Sequence, residues 1–196
     1  MSITVTGVFT SPSASSKTAT LMGTIIDAAH DAGAETMLVN IDELDLTVVD
    51  GRQAEEYEGD TARVLSAIDA ADAVVFGMPV YRAGIPGSLK NLLDMTPRGR
   101  FDGVAQALRA KPVVIAATGA SDHHFLALNG IAEVMRGFFA AYVVPPGVYA
   151  SHADFSDGVL TTQRVIECAE RSGRALVDLA DAISRSATLR SVEPLI

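Results

Sequence analysis

Short apolar runs, rich in β-branched residues, alternate along this chain with longer stretches of helical spacing. The runs predict five strands, at residues 3–9, 36–41, 73–78, 113–118 and 142–149. The intervening stretches predict helices over residues 19–32, 61–70, 121–141 and 160–186. Strands that alternate with helices are typical of a doubly wound α/β fold with a parallel sheet. We therefore predict that fold class.

The fifth apolar run contains Pro145 and Pro146. Proline cannot donate to a sheet ladder, so we expect this strand to lie at the sheet edge or to end there. A chain of 196 residues can bury one sizeable core but is short for a second full domain. We predict a single domain over residues 1–188, followed by a C-terminal tail at 189–196.

Composition and charge disfavour several classes of partner and location. Lys and Arg total 15 against 24 Asp and Glu, a formal net charge of −9, which disfavours nucleic acid and anionic membrane surfaces as partners. No apolar run reaches the roughly 18 residues that span a bilayer, and the first ten residues do not resemble a signal peptide. The single Cys168 cannot form an internal disulfide, so we expect a cytoplasmic protein, with Cys168 as a buried structural thiol.

Ligands of doubly wound sheets bind at the carboxyl ends of the strands. The turn after the first strand, residues 10–18, carries six hydroxyl groups and one ammonium group ahead of a predicted helix. A helix N-terminus with free N–H groups suits a phosphate, although a Ser/Thr-rich loop can also simply cap the helix. Neither G-x-x-x-x-G-K-[ST] nor G-x-G-x-x-G is present, which disfavours an ATPase and an NAD-type dehydrogenase. The candidate phosphate ligands are Ser11, Ser13, Ser16, Lys17 and Thr18.

The turn after the third strand has the sequence PVYRAGIPGSLKNLLDM, from residue 79 to residue 95. It offers an aromatic face, a cation and glycines that let the backbone approach a ligand closely. A flavin ring needs flat apolar contacts and amide donors where negative charge develops on reduction. The alternative is a tight strand–helix connection with an incidental Tyr and Arg. We expect Lys90 and Asp94, four residues apart, to form a surface ion pair. The candidate ring contacts are Pro79, Val80, Tyr81 and Arg82.

The turn after the fourth strand, ATGASDHH, begins at residue 117. We expect Thr118, Gly119 and Ala120 to approach the edge of the same ring, since small residues leave it unobstructed. Adjacent His123 and His124 cannot present both rings to one ion on a helix, and no neighbouring ligand completes a set. We therefore predict no metal site and expect one histidine to pack the loop or gate the substrate. A serine hydrolase is disfavoured because G-x-S-x-G is absent.

The second of these turns resembles the flavin-ring loop of the NADPH-dependent FMN reductases, whose pattern is roughly P-x-Y-x-x-x-x-P-G-x-L-K-N-x-x-D. The matching residues are Pro79, Tyr81, Pro86, Gly87, Leu89, Lys90, Asn91 and Asp94. The third turn is similar to the family's A-T-G-G loop. The first resembles its G-S-x-R-x-x-S phosphate loop more loosely: Thr10 replaces the glycine, Ser13 stands where the arginine is expected, and Lys17 could supply the charge.

The resemblance covers about residues 3–150 and is nearest to the alkanesulfonate-type FMN reductases of two-component monooxygenase systems. Some of those proteins carry an inserted tyrosine in the helix after the third turn, which this chain lacks. The resemblance implies a flavodoxin-like sheet of strand order 2-1-3-4-5 and an NAD(P)H-dependent FMN reductase. Its cofactors would be FMN and NADPH or NADH, with hydride passing from the nicotinamide to FMN N5. No residue is then needed as a catalytic acid or base.

The resemblance further implies a homodimer or homotetramer that could supply reduced FMN to a flavin-dependent monooxygenase. Two alternatives remain from the residues themselves. One is an FMN-bound reductase of a quinone, an azo dye or a metal oxyanion, whose loops would look the same. The other is a flavodoxin-type electron carrier, which the missing T-x-T-G-x-T motif and the single aromatic residue, Tyr81, at the second loop disfavour.

Overall fold

The computed structural model describes residues 2–13, 15–97 and 106–194. Its central sheet contains β1 (Thr4–Phe9), β2 (Glu35–Asn40), β3 (Ala73–Pro79) and β4 (Pro112–Gly119), followed by β5 (Tyr142–Val143) and β6 (Val148–Ser151). All pairings are parallel and the order is β2-β1-β3-β4-β5, with β6 also pairing with β4. The predicted α/β fold and strand order are confirmed.

The fifth predicted strand is two short strands rather than one. β5 pairs with the start of β4 at Pro112 and Val113, and β6 pairs with its end, from Ala116 to Gly119. The chain between them contains the Pro145–Pro146 dipeptide, which has no N–H groups for a ladder. The apolar run over 142–149 is thus divided into two strands, and the expectation that the strand lies at the sheet edge or ends at the prolines is confirmed.

Helices cover both faces of the sheet. On one face lie α1 (Lys17–Asp31) and α5 (Gln163–Arg185); on the other lie α2 (Gly59–Ala70), α3 (Gly87–Met95) and α4 (Ala127–Gly137). Alternate strand residues serve the two cores, so that Phe76 packs with α2–α4 while Val75 packs with α1 and α5. This layering leaves the carboxyl ends of the strands free to carry a site.

The observed bounds of two helices differ from the predicted ones by three residues or more at one end. The 121–141 stretch is a 3₁₀ turn, Asp122–Leu126, followed by α4, which ends at Gly137. The 160–186 helix begins at Gln163, because residues 155–160 form a hairpin of β7 (Phe155–Ser156) and β8 (Val159–Leu160). No helix among the described residues is long and apolar enough to cross a membrane.

Helices α1 and α5 pack at very short range through a glycine. A Cβ added at Gly173 of α5 would lie 2.3 Å from the carbonyl oxygen of Ile25 in α1 and 3.0 Å from the Ala28 Cβ. Since the nearest atom belongs to the backbone, no side-chain rotation could make room. The pairing fixes α1, whose N-terminus faces the candidate site described below.

The C-terminal residues that follow α5 contact the sheet layer. A short helix, α6 (Ala187–Arg190), places the Leu189 carbonyl 3.0 Å from the donating Tyr142 hydroxyl. Glu193 forms an ion pair with Arg109 at 2.8 Å. The domain boundary at residue 188 stays a prediction.

Candidate functional site

A cleft of about 540 Å³ opens at the carboxyl ends of the central strands, where the three predicted turns meet. Eleven of the twelve predicted site residues line it: Ser11, Ser13, Ser16, Lys17, Thr18, Pro79, Val80, Tyr81, Thr118, Gly119 and Ala120. The twelfth, Arg82, is exposed and does not line the cleft. Five further residues complete the lining: Pro12, Ser15, Ser151, His152 and Phe155.

The first turn leads into the N-terminus of α1. Ser16 is the N-cap residue, and its hydroxyl accepts a hydrogen bond of 2.9 Å from the Ala19 N–H. No acidic residue occupies the first turn of α1, so the positive end of the helix dipole is not neutralised from within the helix. The other N–H groups in the first helical turn of α1 have no partner within the helix and can therefore donate to a ligand.

Thr10 occupies the position where the family pattern has glycine. Its side chain is buried: the hydroxyl donates to the Asp42 carboxylate at 2.5 Å and is hydrogen-bonded to Ser88 at 2.7 Å. Thr10 does not line the cleft. A threonine is therefore compatible with a ligand at this turn, because its side chain joins β1 to the start of α3 instead.

Asn40, which no sequence motif singled out, holds the first turn in place. Its Oδ1 accepts from the Ser11 N–H at 3.3 Å, and its Nδ2 donates to the Ser11 carbonyl at 3.1 Å. The Ser11 N–H thus already has a partner. Asn40 ends β2, and its place at the carboxyl end of a strand was the available sequence signal.

A buried pair of hydroxyl groups connects the first and third turns. Thr18 and Thr118, 2% and 8% exposed, are joined by a hydrogen bond of 2.7 Å. The Val80 N–H donates to the Thr118 carbonyl at 2.7 Å, which attaches the second turn to the third. Thr18 was predicted as a phosphate ligand, yet its hydroxyl is used to hold the turns together.

The second turn presents Tyr81 at the cleft mouth, with 51% of its surface exposed. The Gly84 N–H donates to the Tyr81 carbonyl at 3.0 Å, and the two residues between them, Arg82 and Ala83, have φ of 51° and 59°. Positive φ at both central positions is the pattern of a type I′ turn, which strains residues other than glycine, asparagine or aspartate. Farther along, the expected surface pair of Lys90 and Asp94 is confirmed at 2.5 Å.

The third turn is shaped by Tyr149, a residue of β6. A Cβ added at Gly119 would lie 2.2 Å from the Tyr149 hydroxyl oxygen, which donates to the Ser121 carbonyl at 2.6 Å. Burial, aided by the negative charges of Asp122 and Asp154, raises the pKa of Tyr149 further above neutrality. Gly119 was predicted to leave room for a ring; the structure adds that it leaves room for Tyr149.

The two histidines of the third turn differ in environment. His123 is exposed, whereas His124 is partly buried, and its Nδ1 has no hydrogen-bond partner among the described residues. The described residues contain no group of three or more His, Cys, Asp or Glu side chains placed to hold a metal ion.

A fourth side of the cleft, which sequence reasoning missed, follows β6. The Ser151 N–H and hydroxyl donate to one Asp154 carboxylate oxygen at 2.7 and 2.9 Å. Burial by itself would raise the pKa of Asp154, but the hydrogen bonds from Ser151 and Thr162 outweigh it and lower that pKa. The Asp157-Gly158 dipeptide, typical of a two-residue hairpin, was the available sequence signal.

The charge of the cleft is opposite to that of the chain. The formal net charge is −9, yet no Asp or Glu lies among the described residues that line the cleft. Lys17 supplies a cation, and the α1 N-terminus supplies aligned N–H dipoles. The arrangement suits a ligand with an anionic group at one end and an uncharged, flat body towards Tyr81.

Fold and cleft together define a flavodoxin-like α/β protein with a cleft at the carboxyl ends of its strands. The chain belongs to the NADPH-dependent FMN reductase family, whose model matches residues 3–156, and the resemblance found in its turns is confirmed. It is 32% identical over 123 residues to an NAD(P)H-dependent FAD/FMN reductase of Geobacillus thermodenitrificans, covering 63% of each chain. It is 37% identical over 122 residues to the NADH-dependent FMN reductase SfnF of Pseudomonas fluorescens, covering 60% of this chain and 62% of that one. The chain thus matches somewhat less than two thirds of the length of these relatives.

Solved structures share the fold. An oxidoreductase from Corynebacterium diphtheriae superimposes with a TM-score of 0.74 at 23% identity, over 92% of this chain and 98% of that one. The apo form of the NADH:FMN oxidoreductase EmoB gives a TM-score of 0.75 at 20% identity, over 96% and 94% of the two chains.

Proposed function

We propose that this protein is an NAD(P)H-dependent FMN reductase that binds FMN in the cleft. The observation that carries the proposal is a cleft at the N-terminus of α1 whose described lining residues include no acidic side chain, in an acidic protein. Membership of the family and the names of the curated relatives support the same activity.

The residues present fit FMN in size and chemistry. The cleft volume of about 540 Å³ lies within the range usual for cofactor sites. Towards α1 it offers the Lys17 ammonium, the exposed Ser13 and Ser15 hydroxyls and the free N–H groups of the helix for a phosphate. Towards β3 and β4 it offers the face of Tyr81 and the small residues Gly119 and Ala120 for a flat ring.

FMN, when bound, supplies the redox chemistry by accepting hydride from a nicotinamide. The chain's own task is to bind and orient the two nucleotides, which needs no acid or base at the reacting atoms. Tyr81 is half exposed at the mouth, which leaves that side of the cleft open for the second nucleotide. The same opening supports release of reduced flavin, and we propose a flavin-dependent monooxygenase as its recipient.

A homodimer or homotetramer and a location in the cytoplasm are also part of the proposal. The first rests on the family resemblance. The second is supported by a single cysteine, Cys168, in 196 residues.

The test is oxidation of NADH and of NADPH by protein freed of flavin, with and without added FMN. We expect oxidation that depends on added FMN and saturates with it. Turnover that needs no added FMN and rises when a quinone is supplied would instead favour the FMN-bound reductase of another acceptor. Absence of oxidation under all conditions would favour an electron carrier.

A further inference from the structure

Lys17 and Phe155 meet at the phosphate end of the cleft. The Lys17 Nζ lies 5.6 Å from the centroid of the Phe155 ring, within the roughly 6 Å over which a cation and an aromatic face attract each other. Lys17 is the first residue of α1 and Phe155 the first of β7, so the contact joins two sides of the cleft.

The aromatic contact is the only charge-directed interaction that orients Lys17 within the described chain. No carboxylate of the described residues forms an ion pair with it. A lysine ammonium on a four-carbon stem otherwise samples many rotamers, and ordering them on binding costs affinity. Phe155 therefore limits where the ammonium lies before any ligand arrives.

The position of Phe155 is itself fixed by the protein. The hairpin that begins with Phe155 is attached to α1, where the Thr20 hydroxyl donates to the Gly158 carbonyl at 3.1 Å. At its base the Thr161 N–H donates to the Asp154 carbonyl at 2.9 Å. Both anchors are protein hydrogen bonds, so the ring is held over Lys17 independently of a cofactor.

We propose that Phe155 is a positioning residue that holds the Lys17 ammonium for the phosphate of FMN and so makes the cleft prefer FMN to riboflavin. The inference rests on the proposed function, in that it requires the cleft to bind flavin. The family's phosphate loop carries an arginine where this chain has Ser13. A lysine lacks the rigid guanidinium fork, and an aromatic support compensates by restricting the point charge.

The test compares dissociation constants for FMN and for riboflavin, measured by quenching of flavin fluorescence. F155L should weaken FMN binding about two- to fivefold, the range for an exposed cation–π contact, and leave riboflavin binding unchanged. F155Y keeps the ring and should bind FMN like the wild type. S156A alters the exposed neighbouring residue of the hairpin and should change neither constant.

A double variant separates positioning from a direct contact. If Phe155 acts through Lys17, F155L should add nothing to the loss of FMN affinity in a K17A background. Equal weakening of FMN and riboflavin by F155L, additive losses in the double variant, or F155L with wild-type FMN affinity would each overturn the proposal. Wild-type protein that binds neither flavin would overturn the proposed function itself, which the first titration reveals.

Discussion

Replacing Gly119 with alanine would place a methyl carbon 2.2 Å from the Tyr149 hydroxyl oxygen, more than 1 Å inside normal contact. The tyrosine ring is rigid, so it must tilt away and give up its 2.6 Å hydrogen bond to the Ser121 carbonyl. Overpacking typically costs about 1–3 kcal/mol and the lost hydrogen bond about 1 kcal/mol. We expect G119A to lower the free energy of unfolding by about 2–4 kcal/mol and to weaken FMN binding, as the third turn shifts.

The assay is urea unfolding of G119A, Y149F and the double variant, followed by far-ultraviolet circular dichroism. Removing the hydroxyl leaves the methyl group introduced by G119A with neighbours at 3.1 and 3.2 Å, which small shifts can accommodate. G119A should therefore cost about 1–2 kcal/mol less in the Y149F background than in the wild type. An equal cost in both backgrounds would refute the view that Tyr149 is the reason for glycine at this position.

Three further predictions test other parts of the structure. In urea unfolding, G173A should destabilise the protein by about 1–3 kcal/mol, because the added Cβ meets the Ile25 carbonyl. The control is G130A, at a helical glycine with open space around it, which should be neutral or stabilising. Equal effects of the two substitutions would contradict the close packing of α1 and α5. A83G should raise the unfolding free energy by about 0.5–1 kcal/mol, since φ of 59° strains alanine but not glycine, and a loss of stability would contradict a strained turn. The lowered pKa of Asp154 means that its carboxylate stabilises the fold above the unfolded-state pKa of about 4 and loses this effect as the pH falls through the folded-state pKa. D154N should thus have a lower free energy of unfolding than the wild type at pH 7, and the gap between the two proteins should shrink below about pH 4. A gap that does not change with pH would contradict a stabilising role of the Asp154 carboxylate.

Most of the fold was accessible from the sequence because buried parallel strands read as continuous apolar runs. The fifth strand was the exception. Its run is apolar on both sides of Pro145 and Pro146, and periodicity alone gave no sign that two strands pair with separate parts of β4. The β7–β8 hairpin was missed for a different reason: its strands have two residues each, too few to show alternation.

The sequence predicted which residues lie at the candidate site better than it predicted what each of them does there. Strand ends brought eleven of twelve residues to one cleft, but only the structure shows which groups are already engaged. The Thr18 hydroxyl is paired with Thr118, and the Ser16 hydroxyl caps α1. Phe155 lies beyond the last strand of the central sheet and in none of the three turns. Its contact with Lys17 is a tertiary contact that no local sequence pattern indicates.

A crystal structure of the complex with FMN tests most directly whether this cleft holds FMN with its phosphate at the start of α1. We predict that phosphate oxygens lie within hydrogen-bond distance of the N–H groups in the first helical turn of α1 and of the Lys17 ammonium. The ring should lie between Tyr81 and the turn that contains Gly119 and Ala120. A phosphate bound away from α1, or FMN bound outside this cleft, would contradict the claim.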